Sequence, residues 1–243
     1  MYEAVHAVPD GDATVARLAA TAAGFGFDGV VVRSHGDARG SYDAGAVAGA
    51  YGVDVVPGVE IRADGPEQAS GYLGNYRPDH VVLAVHGGDA ALNRFAVEQD
   101  RVDVLAHPLA GGADAFDHVD ARAAREHGVR VEVNLGPVLQ DDGGPRVQAI
   151  ERLRRLRRLL EQYDTPFVVS ADPFSHLRLR APRELVAVGE AVGFDADQVE
   201  TGLREWGRLA ERNRARLDDR FVEPGVWAGP LDEPPPGSDR REG

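Results

Sequence analysis

The stretch Gly29-Val30-Val31-Val32-Arg33 carries a pattern that repeats through the chain, in which an unbroken apolar run ends on a polar side chain. A strand that is apolar along its whole length is buried on both faces, as in a parallel sheet wrapped by helices. Similar short runs make seven in all, at residues 2–6, 29–33, 54–61, 80–86, 103–106, 129–134 and 167–170. The sequence therefore predicts seven buried strands.

Helical segments separate the predicted strands. Apolar residues recur three or four positions apart in them, as at Val15, Leu18 and Ala22, which places these side chains on one helix face. Seven evenly spaced units followed by one long helix favour an α/β fold, a TIM-like (βα)-barrel with about seven parallel strands, over an open doubly wound sheet. We predict the final helix over residues 196–217, packed on the barrel through a stripe of Val199, Leu203, Trp206, Ala210 and Leu217.

The composition is that of one globular, strongly acidic domain. Of 243 residues, 43% are hydrophobic, and 40 Asp and Glu residues against 27 basic residues leave a formal net charge of −13. Every basic residue is Arg, a bias that indicates a salt-rich cytoplasm. We expect a single barrel domain over residues 1–220 and a disordered, Pro-rich acidic tail over residues 221–243, because the tail has too few apolar residues to fold by itself.

The absence of Cys excludes a disulfide framework and a thiolate metal site. The chain also has no apolar run of about 20 residues, and its start, Met1-Tyr2-Glu3, lacks the basic and apolar regions of a secretory signal. We therefore expect a cytoplasmic protein that does not bind a membrane.

Polar residues end all seven predicted strands. A single polar residue at a strand end often only satisfies loop backbone groups. In a barrel, however, the C-terminal strand ends meet on one face, where barrel enzymes build their sites. We therefore predict one functional face that contains His6, Arg33, Glu60 with Arg62, His86, His107, Asn134, and Ser170 with Asp172.

Residues 58–62 (Gly-Val-Glu-Ile-Arg) and 103–108 (Asp-Val-Leu-Ala-His-Pro) resemble the polymerase-and-histidinol-phosphatase superfamily. The resemblance implies a seven-unit barrel in which a His-x-His motif, a Glu, further His residues and a late Asp-x-His hold two or three metal ions. Val8 stands where the second His of the first motif belongs, and His176 lies four residues after Asp172 instead of two. The resemblance therefore implies no metal and no catalytic residue in this chain, only vestigial ligand positions at His6, Glu60, His86, His107 and Asp172.

A longer match, from residue 2 to about residue 220, resembles the archaeal ribonuclease P protein component 3 family, the thirty-kilodalton subunit. Residues 26–33, 58–61, 103–108 and 167–182 carry it, and Ser-Ala-Asp-Pro-Phe-Ser-His-Leu-Arg-Leu-Arg-Ala-Pro at 170–182 is the most specific stretch. The resemblance implies a subunit that helps a catalytic RNA remove the 5′ leader of precursor tRNA. It also implies no cofactor bound by this chain, Mg²⁺ held with the RNA, and contacts with ribonuclease P RNA, precursor tRNA and other protein subunits, one of them a small partner.

Two groups of Arg residues are candidates for RNA or partner binding. Apolar residues on the helix after Pro145 turn Arg154, Arg155 and Arg158 toward solvent, although Glu151 and Glu161 at helical spacing could pair with them instead. No acidic residue lies between Asp172 and Glu184, the segment that carries the second Arg group. The full candidate set is Arg33, Arg62, Asn134, Arg154, Arg155, Arg158, Ser170, Asp172, His176, Arg178, Arg180 and Arg183.

Two other functions remain open from the sequence. A metal-dependent phosphoesterase of the parent superfamily is the main alternative, and Val8 argues against it because a multinuclear site needs more donors. Another kind of metabolic barrel enzyme ranks last, because no Gly-rich phosphate-binding turn follows the late strands.

Overall fold

Seven parallel strands form a nearly closed barrel in the computed structural model, which describes residues 1–217, 221–223 and 226–227. Each strand pairs with the next one along the chain, so the strand order never reverses as it would in an open doubly wound sheet. The predicted barrel is confirmed. The strands are β1 (Tyr2–Val5), β2 (Gly29–Val32), β3 (Asp54–Ile61), β4 (Val82–His86), β5 (Val104–Ala106), β6 (Arg130–Asn134) and β7 (Phe167–Ser170).

Helices connect the strands and cover the outside of the barrel. Several begin at a side chain that accepts hydrogen bonds from the first free N–H groups, as Thr14, Asp43 and Asp89 do. Short 3-10 helices lie at Ala113–Ala115 and His176–Arg178. The α-helices are α1 (Val15–Phe25), α2 (Ala44–Tyr51), α3 (Pro66–Tyr76), α4 (Ala90–Val97), α5 (His118–His127), α6 (Gly136–Gln140), α7 (Gly143–Tyr163), α8 (Pro182–Val192) and α9 (Ala196–Leu217).

The alternation of side chains along each strand separates two apolar clusters. Val30 and Val32 of β2 belong to the cluster beneath the helices. Val31 belongs to a smaller cluster that fills the barrel interior together with inward-facing residues of the other strands. Because side chains alternate with a period of two, Arg33 points into the barrel on the same side as Val31.

Helix α9 closes the N-terminal end of the barrel. Its Trp206, Leu209 and Ala210 belong to the interior cluster, and the Trp206 indole donates to the Val169 carbonyl at 2.9 Å. Asn213 donates to the Val81 carbonyl at 2.8 Å, just before β4 begins. The predicted helix over residues 196–217 is confirmed. Of the apolar stripe expected to pack on the barrel, Leu217 is 41% exposed and does not pack, whereas Trp206 and Ala210 enter the barrel interior.

The seam between β1 and β7 is the open edge of the barrel, since no strand ladder joins these two strands within the described residues. Glu3 bridges it from β1. Its fully buried carboxylate accepts hydrogen bonds from the Ser170 hydroxyl at 2.7 Å and from the Ala171 N–H at 3.2 Å. A side chain therefore supplies the hydrogen bonds that a ladder provides elsewhere in the sheet.

Two short strands, β8 (Phe221–Glu223) and β9 (Val226–Trp227), pair antiparallel after α9. The rest of the segment 221–243 lies outside the described residues, so the disordered tail stays a prediction, as does the domain boundary at residue 220. Within the described part of the chain, no helix is long and apolar enough to cross a bilayer.

Candidate functional site

The C-terminal ends of the strands bring together on one face His6, Arg33, Glu60, His86, His107, Asn134 and Asp172. His6 after β1 lies 3.0 Å from Asp172 after β7, measured from Nε2 to Oδ1. On the other side of the rim, the nearest atoms of His86 and Glu60 are 2.5 Å apart, and those of His107 and Glu60 are 3.3 Å apart. We call this cluster, together with Asp10, Arg33, His35, Glu132 and Asn134, the rim network.

Arg33 is the centre of the rim network. Its Nη2 contacts Glu132 Oε1 and Asp172 Oδ1, each at 2.6 Å, and its Nη1 lies 3.1 Å from Glu60 Oε2. Arg33, Glu60 and Glu132 are fully buried. Burial raises the pKa of Glu60, but the charges of Arg33 and His107 outweigh it and hold that pKa well below its ordinary value. The network therefore contains ionised carboxylates in the barrel interior.

A stack of rings covers one half of the network. The His6 ring lies 4.1 Å from the Phe174 ring and 4.8 Å from the His35 ring, measured between centroids. Asp10 lies between the two imidazoles, 2.6 Å from His6 Nδ1 and 2.9 Å from His35 Nδ1. Burial lowers the pKa of His6, but the hydrogen bonds to Asp10 and Asp172 outweigh it and raise that pKa. This half of the network is closed to solvent and its imidazoles are paired with acids.

The other half contains His86, His107 and Asn134. Burial lowers the pKa of His107, but the nearby charges of Glu60 and Glu132 outweigh it and raise that pKa to about 9. The His107 backbone N–H donates to Glu132 at 3.0 Å, and the Asn134 amide nitrogen lies 3.1 Å from His107 Nδ1. The charges of Glu60 and Glu132 therefore favour the cationic form of the His107 ring.

Two residues of the network have left-handed backbone angles, His107 at φ 49° and Asp172 at φ 51°. For residues other than Gly this conformation costs roughly 1–3 kcal/mol and is typical of functional sites. The loop after β1 holds the late strand end in place: the His6 N–H donates to the Pro173 carbonyl at 3.1 Å, and the Asp12 N–H donates to the Phe174 carbonyl at 2.6 Å. Backbone hydrogen bonds therefore fix the positions of the rim loops.

The residues present do not fit the two- or three-ion centre that the superfamily resemblance implies. A guanidinium, which donates hydrogen bonds and cannot bind a metal, fills the space between Glu60, Glu132 and Asp172. Val8 is 41% exposed and offers no donor atom. Two triplets among the described residues bring ligand atoms within 4.8 Å of one another: His6, Asp10, His35 and His35, Glu60, His86. In them Asp10 is hydrogen bonded to His6 and His35, and Glu60 to His86.

Several predicted contact residues are buried in this structure instead of lying at the surface. Arg33 and Ser170 are fully buried, and Asp172 is 9% exposed. Ser170 donates to Glu3 at the seam. Asn134 is half-buried and contacts His107 and Asp172. Because each strand is apolar on both faces, the sequence does not show which of its side chains point into the barrel.

The segment from β7 into α8 (residues 170–183, the late segment) places its Arg side chains at the surface. Arg178 and Arg183 are exposed, and Arg178 donates to the Gln140 side chain at 2.9 Å. Arg180 is half-buried and donates to the carbonyls of Leu177 and Leu179, so it stabilises the turn. His176 is half-buried, with an Nδ1 that has no hydrogen-bond partner among the described residues.

The Arg residues of α7 differ from one another. Arg154 donates to the Val192 carbonyl at 3.1 Å, at the end of α8, and Arg155 pairs with Asp114 at 2.8 Å. Arg158 is exposed, as is Arg62 after β3. Arg154 and Arg158 are exposed and Arg155 is partly exposed, as the helical spacing predicted, while the salt bridge to Glu161 is made by Arg157.

Four residues that hold the rim and the seam together were not predicted from the sequence: Glu3, Asp10, His35 and Glu132. His35 and Asp10 follow their strands closely, and a search that extended a few residues beyond each strand end would have found them. Glu132 and Glu3 lie inside strands, where a polar residue is indistinguishable from one that faces solvent. Their partners come from distant strands and leave no local signal.

Comparison with known proteins identifies the family. A family model described as RNase P subunit p30 matches residues 1–218. Ribonuclease P protein component 3 of Haloarcula marismortui is 60% identical over 226 residues, which cover 93% of this chain and 96% of that protein. The same component of Natronomonas pharaonis is also 60% identical over 226 residues, covering 93% of this chain and 94% of that protein. The halophilic sources of these relatives agree with the acidic, all-Arg composition.

Solved structures show the same fold. A chain of an archaeal ribonuclease P, determined by cryo-electron microscopy with mature tRNA, matches with a TM-score of 0.81 at 22% identity and covers 96% of this chain and 100% of that chain. A histidinol phosphate phosphatase of Lactococcus lactis matches with a TM-score of 0.53 at 9% identity, covering 79% of this chain and 94% of that chain. With the family model spanning residues 1–218, the chain belongs to the RNase P subunit p30 family.

Proposed function

We propose that this chain is a protein subunit of ribonuclease P that helps the catalytic RNA remove the 5′ leader of precursor tRNA, and that the late segment is its main RNA contact. The observation that carries the site is the exposure of Arg178 and Arg183 beside a rim whose acids are buried. Relatives named ribonuclease P protein component 3 and the fold match to a ribonuclease P solved with mature tRNA support the functional class.

Burial of the rim acids allows phosphate to approach this face. Glu60, Glu132 and Asp172 are buried and lie against Arg33, so their charge is partly neutralised before any RNA arrives. The exposed side chains of the late segment are those of Leu177, Arg178 and Arg183. A guanidinium binds a phosphate through two parallel hydrogen bonds, which makes Arg suited to this contact.

The net charge of −13 requires the contact to be local. The affinity that comes from counterion release falls steeply with salt, so scattered cations contribute little in a salt-rich cytoplasm. Arg180 holds the turn of the late segment through two backbone carbonyls, and Pro173 and Pro182 restrict its backbone. A preordered segment loses less conformational entropy when it binds.

The remaining parts of the proposal concern composition and chemistry. The chain contacts ribonuclease P RNA, precursor tRNA and other protein subunits, including one small partner, and it is not catalytic alone. The Mg²⁺ needed for cleavage is held with the RNA, and this chain binds no cofactor. The lack of fit between the rim network and a multinuclear metal centre supports this division of roles.

Reconstitution of the ribonucleoprotein over a KCl series tests the contact. We expect the double variant Arg178→Ala with Arg183→Ala to weaken assembly by about 2–4 kcal/mol at moderate salt and to lower the salt slope by about one to two, because each Arg loses a charged hydrogen bond to phosphate. Arg180 is left intact because its removal would disturb the turn.

The matched control is Arg101→Ala, an exposed Arg just before β5 at the opposite end of the barrel. It should leave assembly and the salt slope unchanged. Equal effects of the control and the double variant, or normal precursor-tRNA cleavage by the double variant, would move the contact away from the late segment. Arg158 on α7 would be tested next.

A further inference from the structure

We propose that Arg33 is a built-in substitute for a metal ion, a tethered cation that holds together carboxylates from three strands at the barrel rim. The inference follows from the poor fit between the rim network and a metal centre, and it does not depend on the RNA-binding role. It concerns the assembly of the rim and not the chemistry of cleavage.

The geometry is that of a cation inside an oxygen cage. The guanidinium reaches Glu60 of β3, Glu132 of β6 and Asp172 after β7 at 2.6–3.1 Å. Arg33 itself follows β2, so four strands meet at one charge. Buried carboxylates that converge in this way repel one another unless a positive charge lies between them.

The charge balance of the cage depends strongly on Arg33. Four acids belong to the rim network, Asp10, Glu60, Glu132 and Asp172, whereas Arg33 is the one permanently charged cation among its described residues. His6, His35, His86 and His107 supply further positive charge only when protonated. Without Arg33, Glu132 would lose its guanidinium partner and keep only the His107 backbone and ring contacts.

The barrel interior is shaped to hold this side chain. Trp206 of α9 lies beneath the guanidinium, with 5.8 Å between Arg33 Cζ and the ring centroid. Ala84 and Ala106, which are fully buried in the interior cluster, have small side chains that leave room in the barrel. A guanidinium cannot lose its proton in a protein and cannot dissociate from the chain, so the cage keeps its charge at any metal concentration.

The inference predicts that removal of Arg33 exposes a latent metal site. The Arg33→Ala variant leaves space among three carboxylates, and oxygen-rich sites of this kind favour Mn²⁺ and Mg²⁺. Mn²⁺ binding to the full chain can be followed by the electron paramagnetic resonance signal of the free ion, together with the midpoint of thermal unfolding.

Three chains should differ in this assay. Arg33→Ala should unfold at a lower temperature than the unsubstituted chain, bind one Mn²⁺ per chain at least tenfold more tightly, and regain part of its thermal stability when Mn²⁺ is added. Arg33→Lys keeps a cation in the cage and should bind no additional Mn²⁺. Arg214→Ala removes a half-exposed pair with Asp54 at the opposite end and should show no Mn²⁺ response.

Binding of one Mn²⁺ by the unsubstituted chain, with loss of that binding in Glu60→Gln, would overturn the proposal. Equal Mn²⁺ affinities of the unsubstituted chain and Arg33→Ala would do the same. If Arg33→Ala does not fold, the proposal is tested by adding Glu132→Gln to the unsubstituted chain and to Arg33→Ala. This change should lower the unfolding temperature of the unsubstituted chain but raise the folded yield of Arg33→Ala, and the same direction in both backgrounds would refute charge compensation.

Discussion

Glu3 is expected to make the protein less stable as the pH rises from 5 to 8. Its carboxylate is fully buried at the β1–β7 seam. Burial raises its pKa from 4.5 to about 7, against the opposing effect of hydrogen bonds from Ser170, Ala171 and Ala4. In the unfolded chain the group ionises near its ordinary pKa, so the unfolded state binds fewer protons between these two values. The contribution of Glu3 to stability is therefore highest below pH 4.5 and falls until the pH passes 7.

The size of the effect follows from the two pKa values. A shift from 4.5 to about 7 corresponds to roughly 3 kcal/mol, of which about 2.5 kcal/mol is lost between pH 5 and pH 8. The Glu3→Gln variant does not ionise. Its amide oxygen can still accept from Ser170, but it loses one carboxylate oxygen that accepts from Ala171. We expect Glu3→Gln to be less stable than the unsubstituted chain at pH 5 by about 1 kcal/mol and more stable at pH 8.

The assay is denaturant unfolding at pH 5, 6, 7 and 8 in a fixed concentration of KCl, with the difference in unfolding free energy between the two chains plotted against pH. Taking the difference removes the contributions of other titrating groups. Glu190→Gln, at an exposed position on α8, is the matched control and should follow the unsubstituted chain at every pH. A difference for Glu3→Gln that stays constant from pH 5 to pH 8 would show that the buried carboxylate does not titrate in this range.

Two further predictions concern opposite ends of the barrel. The His107 ring should titrate near pH 9 in an NMR experiment. Because its pKa is raised from 6.5, its stabilising contribution is present below pH 6.5 and is lost as the pH rises through 9. If the titration midpoint does not fall in Glu60→Gln, the assigned cause is wrong. At the N-terminal end, Asp103→Asn should lower the unfolding free energy by about 3 kcal/mol, since buried Asp103 pairs with Arg77 at 2.8 Å and Arg212 at 2.7 Å. The control Asp54→Asn, in a half-exposed pair, should cost less than about 1 kcal/mol. Equal losses in the two variants would refute the role of burial.

The strands could be predicted closely because burial on both faces leaves continuous apolar runs. The run at residues 54–61 coincides with β3, and the run at 167–170 coincides with β7. The convergence of His6, Glu60, His107 and Asp172 also followed from the sequence, since parallel strands all end on the same face of a barrel. These features depend on local pattern and on connectivity, which the sequence contains.

The continuous apolar run of β2 made the strand easy to predict, but it gave no indication that Arg33 points into the barrel. Val30, Val31 and Val32 are all apolar, so the strand gives no sign of which residues face inward. Exposed Arg residues are common and buried ones are rare, and the prediction followed the common case. The partners that make burial possible, Glu132 and Asp172, lie 99 and 139 residues away along the chain.

The sequence by itself determined the family, the order of the strands and the set of polar residues at the rim, because these depend on motifs and on the period of the apolar residues. Only the tertiary structure decided which rim residues are available to a ligand. It turned Arg33 and Ser170 inward, left Arg178 and Arg183 exposed, and placed α9 across the end of the barrel. Burial and charge pairing depend on distances between remote strands, and those distances exist only after the barrel has closed.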